Sequence, residues 1–323
     1  MYKIAKENLA TLHELIAEKQ ALYLANQLNR PPKHVFFPQS ETLYTARKGQ
    51  GKLTIEQVSL KDQDFVLFGV KACDVKGMEI LDQVYLSDPV DSYYAARRAH
   101  GTIVAYACHE PEETCFCGAF AIDPASPKGD VAIWEIERAL FWMPLTAKGE
   151  ALTKGVETVL EEADESKVKQ QKEKIKELMK RLPFSDLTLD GWGGDALQEK
   201  FDSELWEVLH KACIACGTCT FLCPTCQCYD IKDYTAGEEI SRYRCWDSCM
   251  YSDFTLMAHG NNRTTQMQRF RQRFMHKLVY FPANYEGTSS CVGCGVCVAK
   301  CPSALNIVKV IKAFGSQGSE KNE

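Results

Sequence analysis

Sixteen cysteines occur in 323 residues, and six of them crowd into CIACGTCTFLCPTCQC at 213–228. Thiolates at short, regular gaps bind zinc or iron–sulfur clusters, and the gaps tell the two apart. The first run reads Cys213-x2-Cys216-x2-Cys219-x3-Cys223-Pro224, and the same spacing returns as Cys291-x2-Cys294-x2-Cys297-x3-Cys301-Pro302. Two CxxC pairs can hold zinc, but a third cysteine at the same step and a trailing Cys-Pro, twice over, match the bacterial ferredoxin pattern for [4Fe–4S] ligation. Two-residue gaps let three thiolates converge on one cubane, and Gly217, Gly293 and Gly295 let the backbone wrap closely. The fourth cysteine belongs to the other cluster in two-cluster proteins. Cys213, Cys216, Cys219 and Cys301 are therefore expected to hold one cluster, and Cys291, Cys294, Cys297 and Cys223 the other.

Eight cysteines remain. Cys73 and Cys108 each follow a strand-like run, DFVLFGV (64–70) and GTIVAYA (101–107). If those strands are parallel, both thiols lie at the carboxyl edge of the sheet, where open α/β sheets build their sites. Cys115 and Cys117, in ETCFCG, sit on the loop leaving that edge. Four thiols are one cluster's complement, so Cys73, Cys108, Cys115 and Cys117 are candidates for a third. The alternative, that Cys73 and Cys108 are small buried hydrophobes, explains Cys115-x-Cys117 poorly. Cys226, Cys228, Cys245 and Cys249 could bind a fourth cluster, complete the N-terminal site, or be inert. Cys245 stands in a mixed-charge stretch with helical spacing.

The elements that must position these thiols fall into two groups. The two apolar runs, with helical spacing in VKGMEILDQVYL and DSYYAARRA between them, form a strand–helix–strand unit. KLTIEQVSL (52–60) and VAIWEIE (131–137) are further strand candidates. Residues 1–150 therefore read as an α/β domain. A charged helix and a turn-rich linker, PFSDLTLDGWGGD, occupy 151–195. Residues 196–323 read as a mainly α-helical, ferredoxin-like domain carrying two clusters, because the 67 residues between Cys223 and Cys291 look helical.

Composition limits the function. Hydrophobic content of 45%, charged content of 25% and a net charge of −5 describe an ordinary soluble chain and argue against nucleic acid as a partner. No apolar run approaches the ~18 residues of a membrane span. The N-terminus has helical spacing without the apolar core of a signal peptide. A cytoplasmic location is expected, where paired cysteines are metal-binding or catalytic rather than disulfides.

No G-x-G-x-x-G follows a strand, and no Ser/His/Asp or Cys/His spacing gives a local catalytic signature. His109, beside Cys108, reads either as a loop histidine or as a hydrogen-bonding neighbour of a cluster. Arg263, Arg269, Arg271, Arg273, His276 and Lys277 form a basic stretch. It reads either as a solvated helix face or as charge that docks an acidic partner or offsets the cubanes. Two function classes follow: an electron relay without a substrate of its own, or a reductase with an open iron that binds a disulfide or sulfur species.

FGVKACDVKGMEILDQVYL, ETCFCG, CPTCQCYD, WDSCMYSDFTLMA, RFRQRFMHKLVYFP and CVGCGVCVAKCPSALNIVKVI resemble, in type and order, the iron–sulfur β-subunit family of sulfhydrogenases, to which the corresponding iron–sulfur component of anaerobic sulfite reductase also belongs. The resemblance runs from about Phe65 to Ile311. It implies an electron-transfer subunit in an anaerobe's cytoplasmic, hetero-oligomeric oxidoreductase. An FAD subunit there exchanges electrons with NAD(P)H, and the catalytic partner is of hydrogenase, sulfite reductase or heterodisulfide-reductase type, with further ferredoxin-type subunits in some assemblies. Cys73, Cys108, Cys115, Cys117, Cys226, Cys228 and Cys249 fall on family positions; Cys245 departs from the pattern.

Overall fold

A computed structural model describes residues 1–49, 51–58 and 63–320. Its main sheet begins with β1 (Tyr2–Ala5), helix α1 (Leu9–Ala17) and β2 (Ala21–Leu24). Two strands of a second sheet follow, β3 (Ser40–Gly49) and β4 (Lys52–Gln57). The end of the 52–60 run, residues 59 and 60, lies outside the described residues. The chain then re-enters the main sheet through β5 (Phe65–Lys71), α2 (Ala72–Tyr85), α3 (Ser92–His100) and β6 (Gly101–Tyr106). Strands β7 (Val131–Ile136) and β8 (Ala139–Pro144), helix α4 (Ala147–Gly155), β9 (Glu161–Glu162) and α5 (Ser166–Met179) complete this half.

The seven strands run in the order β2-β5-β6-β7-β8-β1-β9. β2, β5, β6 and β7 are parallel, and the rest join antiparallel. Val66, Leu67, Phe68 and Val70 of β5 are all buried, as a strand covered on both faces requires. The two sequence runs at 64–70 and 101–107 are thus parallel neighbours, and both deliver cysteines to the carboxyl edge. α2 starts there, its first turn closed by the Asp74 carboxylate accepting from Lys71 N–H at 3.0 Å. The 151–195 stretch is broken by β9, and α5 buries Val168 and Ile175 with Trp134 and Phe141 of the sheet.

The C-terminal half holds α6 (Leu197–Phe201), α7 (Leu205–Leu209), α8 (Thr218–Phe221), α9 (Gln266–Met275), a π turn at His276–Tyr280, α10 (Phe281–Asn284), α11 (Val296–Ala299) and α12 (Ile307–Glu320). Trp206, Phe270, Phe274, Leu278, Ile311 and Phe314 share its core. The segment between the cysteine motifs is helical only in its second half. Its first half is a hairpin, β10 (Tyr229–Ala236) and β11 (Glu239–Trp246), and β11 pairs with β3 to give a four-stranded sheet, β10-β11-β3-β4. The helical expectation failed because the charges of this stretch pair across strands rather than along a helix. Arg242 forks onto Asp233 at 2.7 Å for both bonds, and Arg244, 3% exposed, is held by Glu41 of β3 and by Asp91. The hairpin therefore ties the two halves together.

Candidate metal centres

The two ferredoxin-spaced loops have the same backbone. Ala215 and Gly293, one residue before each second cysteine, have φ of 54° and 58°; Gly217 and Gly295, one residue after it, both have φ of 74°. The left-handed turns bend each loop so that three cysteines face inward, and short helices α8 and α11 follow. Cys301 lies beside the first loop and Cys223 beside the second. Cys213 faces Cys219, Cys301 and Cys216. Cys294 and Cys297 both face Cys223, and Cys297 also faces Cys219 of the first loop. Cys213 accepts from Ala215 N–H at 3.4 Å, the backbone-to-sulfur contact that a ligating thiolate receives.

The sets differ in environment. Cys216 is exposed, and its thiol is pulled below the usual range by its hydrogen bonding with the Thr218 side chain and backbone. Burial pushes the Cys291 thiol up to about 12 and raises Cys294 and Cys297 as well. The second loop also carries the N-terminal half against it. Phe116 N–H donates to Gly293 O at 2.8 Å, and the Phe116 ring, 2% exposed, packs into the C-terminal core.

That contact brings the third set into place. Cys115 and Cys117 flank Phe116, so anchoring its ring fixes both thiols. Cys117 faces Cys115 and Cys108, while Cys73 faces Cys294, Cys117 and Cys108. Cys73 and Cys294 pack against the same small apolar cluster of Ile80, Phe281 and Val292. Lys71 stands among these thiols. Burial works against its charge, but Cys108, Cys73 and Cys115 outweigh burial and raise its pKa. The His109 ring lies 3.8 Å from Glu135 and 4.0 Å from Glu110.

Cys226, Cys228 and Cys249 gather behind Cys223, each half-buried and each facing another of the group. Cys245 does not join them. It lies on β11 opposite Asp230 and Ser40, and the charges it faces are Lys232, Asp230 and Asp247. The stretch is a central strand, and its alternation sends Cys245 to the face away from Arg244 and Trp246, both buried.

Buried cations test whether a cluster fits these sets. Arg273 and Lys277 are 3% exposed and Lys33 is 2% exposed. Arg273 Nη2 donates to Cys219 O at 2.8 Å, and its Nε is buried without a partner among the described residues. Lys277 Nζ reaches Cys223 Sγ at 3.3 Å, Thr225 Oγ1 at 2.8 Å and Ser290 O at 2.8 Å. Lys33 Nζ donates to Cys226 O and lies 4.4 Å from the Trp246 ring centroid. Burial works against all three charges; the thiols that Arg273 and Lys277 face outweigh it and raise their pKa, whereas at Lys33 burial prevails over Cys226, Cys223 and Cys228 and lowers it. Burying a cation without a partner costs several kcal/mol, so negative charge must reside on the sulfurs, as it does when they ligate a [4Fe–4S] cluster. Among the described residues no three His, Cys, Asp or Glu side chains draw in tightly enough to hold a single ion. A cubane takes one thiolate at each of four corners, so this spread does not count against a cluster.

The basic stretch thus resolves into separate roles. Arg273 and Lys277 turn inward to the cysteines, whereas Arg271 lies over the Phe201 ring at 3.6 Å. Nothing in the spacing of the motifs points to Lys33, which is far from all of them; Lys71 could have been suspected only from its place two residues before Cys73.

Comparison with known proteins accounts for this construction. A family described as "4Fe-4S dicluster domain" matches residues 212–305, which include both loops. Sulfhydrogenase 2 subunit beta of Pyrococcus furiosus is 34% identical over 283 residues, covering 87% of this chain and 81% of the relative. The chain belongs to the sulfhydrogenase β-subunit family. Its place there makes it an iron–sulfur, electron-transfer type of oxidoreductase subunit, and the similarity to the Pyrococcus protein extends well beyond the cluster domain into the α/β half. Among the described residues, no helix is long and apolar enough to cross a membrane.

Proposed function

We propose that the chain is a relay subunit carrying electrons between an FAD/NAD(P)H-binding partner and a catalytic oxidoreductase subunit, through at least two [4Fe–4S] clusters. The observation that carries this reading is the doubled loop, with φ of 54° and 74° in one copy and 58° and 74° in the other and the fourth cysteines exchanged. A [4Fe–4S] cluster takes up and gives back single electrons without bond making to a substrate. What the chain supplies is spacing and insulation.

The order of the sets supports a wire with three stations. Cys219 of the first set neighbours Cys297 of the second, and Cys294 of the second neighbours Cys73 of the third. Cys115 Sγ lies 3.7 Å from Cys294 O, so the second and third sets share one wall. We assign Cys73, Cys108, Cys115 and Cys117 to a third cluster at the sheet edge. Cys226, Cys228 and Cys249 then form a three-thiol group without Cys245. Three thiols leave one iron open, and that keeps a reductase acting on a disulfide or sulfur species as the second reading.

Iron and acid-labile sulfide per chain, measured on protein purified without oxygen, test the assignment. About twelve irons fit three cubanes, eight reduce the N-terminal four to packing, and sixteen fill the Cys226 group too, at four irons per cubane. Replacing Cys73 and Cys117 by serine is expected to remove about four irons, while Cys245→Ser removes none. Loss of iron in Cys245→Ser would overturn the exclusion of that residue.

A further inference from the structure

We propose that three buried cations, Lys277, Lys33 and Arg273, raise the reduction potential of the middle station so that it does not become a barrier between its neighbours. The inference rests on the relay reading above. A cluster gains negative charge when it is reduced, so a low-dielectric wrapping disfavours reduction and lowers the potential. The second set, Cys291, Cys294, Cys297 and Cys223, is wrapped by both halves of the chain, whereas the first opens to solvent at Cys216. Burial alone would therefore drop the middle centre below the first, and an electron would have to climb to cross it.

The cations sit where they oppose that drop. Lys277 Nζ is 3.3 Å from Cys223 Sγ and is fixed there by Thr225 Oγ1 and Ser290 O, both at 2.8 Å. It can neither swing to solvent nor be neutralised by a carboxylate, since the negative groups it faces are thiols. Hydrogen bonding to a ligating sulfur acts in the same direction as the charge. Lys33 donates to Cys226 O beside the same loop. Arg273 stands between the two ferredoxin sets. It donates to Cys219 O and lines one cavity with Cys213, Cys216, Cys219, Cys297 and Cys301. Its charge therefore acts on both centres, while that of Lys277 acts on one. In a buried site these interactions are screened little by salt.

The test is an EPR-monitored redox titration of the anaerobic full-length chain as wild type, Lys277→Gln, Lys277→Arg and Arg273→Gln, with iron counted for each. Cys216→Ser alters the signal of the first set and so identifies which centre is which. Lys277→Gln is expected to lower the midpoint of the second centre alone, by at least a tenfold drop in its reduction equilibrium, about 59 mV for one electron. Lys277→Arg should restore most of it, and Arg273→Gln should lower both centres. Unmoved midpoints in Lys277→Gln and Arg273→Gln, with both centres present, would overturn the inference and leave the cations a packing role. If Lys277→Gln loses its second centre, recovery of the iron without the midpoint in Lys277→Arg overturns it equally. A wild-type chain with fewer than two centres would instead sink the relay reading beneath it.

Discussion

At Ala215 and Gly293 the two cysteine loops share a backbone angle, φ 54° and 58°, but only the first carries a methyl group there. The reason lies outside the loops. A Cβ on Gly293 would stand 2.4 Å from Phe116 O and 2.7 Å from the Cys117 Cα, and one on Gly295 would stand 2.4 Å from Thr114 O. These are backbone atoms of the N-terminal half, and they have no room to retreat. At Gly217 the nearest atom is the Tyr251 hydroxyl at 2.5 Å, the movable end of a half-exposed side chain. At its glycine the first loop thus meets only a side chain that can move. The second meets backbone of the N-terminal half, a neighbour that brings two more cysteines.

The sharpest way to break the comparison is to exchange the residues. Gly293→Ala combines the cost of a left-handed alanine, about 1–2 kcal/mol, with a clash against backbone of roughly 1–3 kcal/mol. It is expected to destabilise by about 2–5 kcal/mol and to release iron from the third set as the 114–117 segment is pushed away. Ala215→Gly removes a methyl group from a left-handed position and should change stability by less than about 1 kcal/mol. Thermal loss of visible cluster absorbance, read beside iron per chain, measures both. Equal effects at 215 and 293 would show that the N-terminal contact is not what demands glycine.

Gly295→Ala and Gly217→Ala make a second, weaker pair. Both pay for φ of 74°, but only position 295 meets backbone. The expected costs are roughly 3 kcal/mol at 295 and about 1–2 kcal/mol at 217, where Tyr251 swings aside. The same thermal measurement applies, and a cost at 217 as large as at 295 would mean that Tyr251 is held more firmly than its exposure suggests.

How much of this was legible in the sequence divides along the same line. The cysteine spacing, a covalent and local property, announced both loops, and it is Cys301 that lies beside Cys213 and Cys223 beside Cys294. The parallel strands at 64–70 and 101–107 were readable because continuous apolar runs have few other uses. What local spacing could not carry was pairing at a distance. β11 looked helical because its charges are mixed, and only its register beside β3 shows that Arg244 belongs to Glu41 and Asp91. For the same reason the basic stretch kept two readings open. Arg273 and Lys277 lie four residues apart, so they share a helix face, but no pattern says that this face looks at thiols rather than water. Lys33 is farther still, separated from Cys226 by 193 positions.

The smallest predicted effect concerns the open side of the first loop. The Tyr251 hydroxyl donates to Cys216 O at 3.2 Å, and its ring covers the turn at Gly217 without sealing it. Tyr251→Phe keeps the ring and removes one exposed hydrogen bond, a cost of about 0.5 kcal/mol, too small to unfold anything. Its consequence should be confined to access. Iron removal by a chelator is expected to be biphasic in the wild type, with the first set emptying ahead of the wrapped second set. Tyr251→Phe should speed the fast phase two- to threefold, on the order of what ~0.5 kcal/mol allows, and leave the slow phase unchanged. A change in the slow phase instead would mean that solvent reaches the second set through the first, and that the two loops are not insulated from one another.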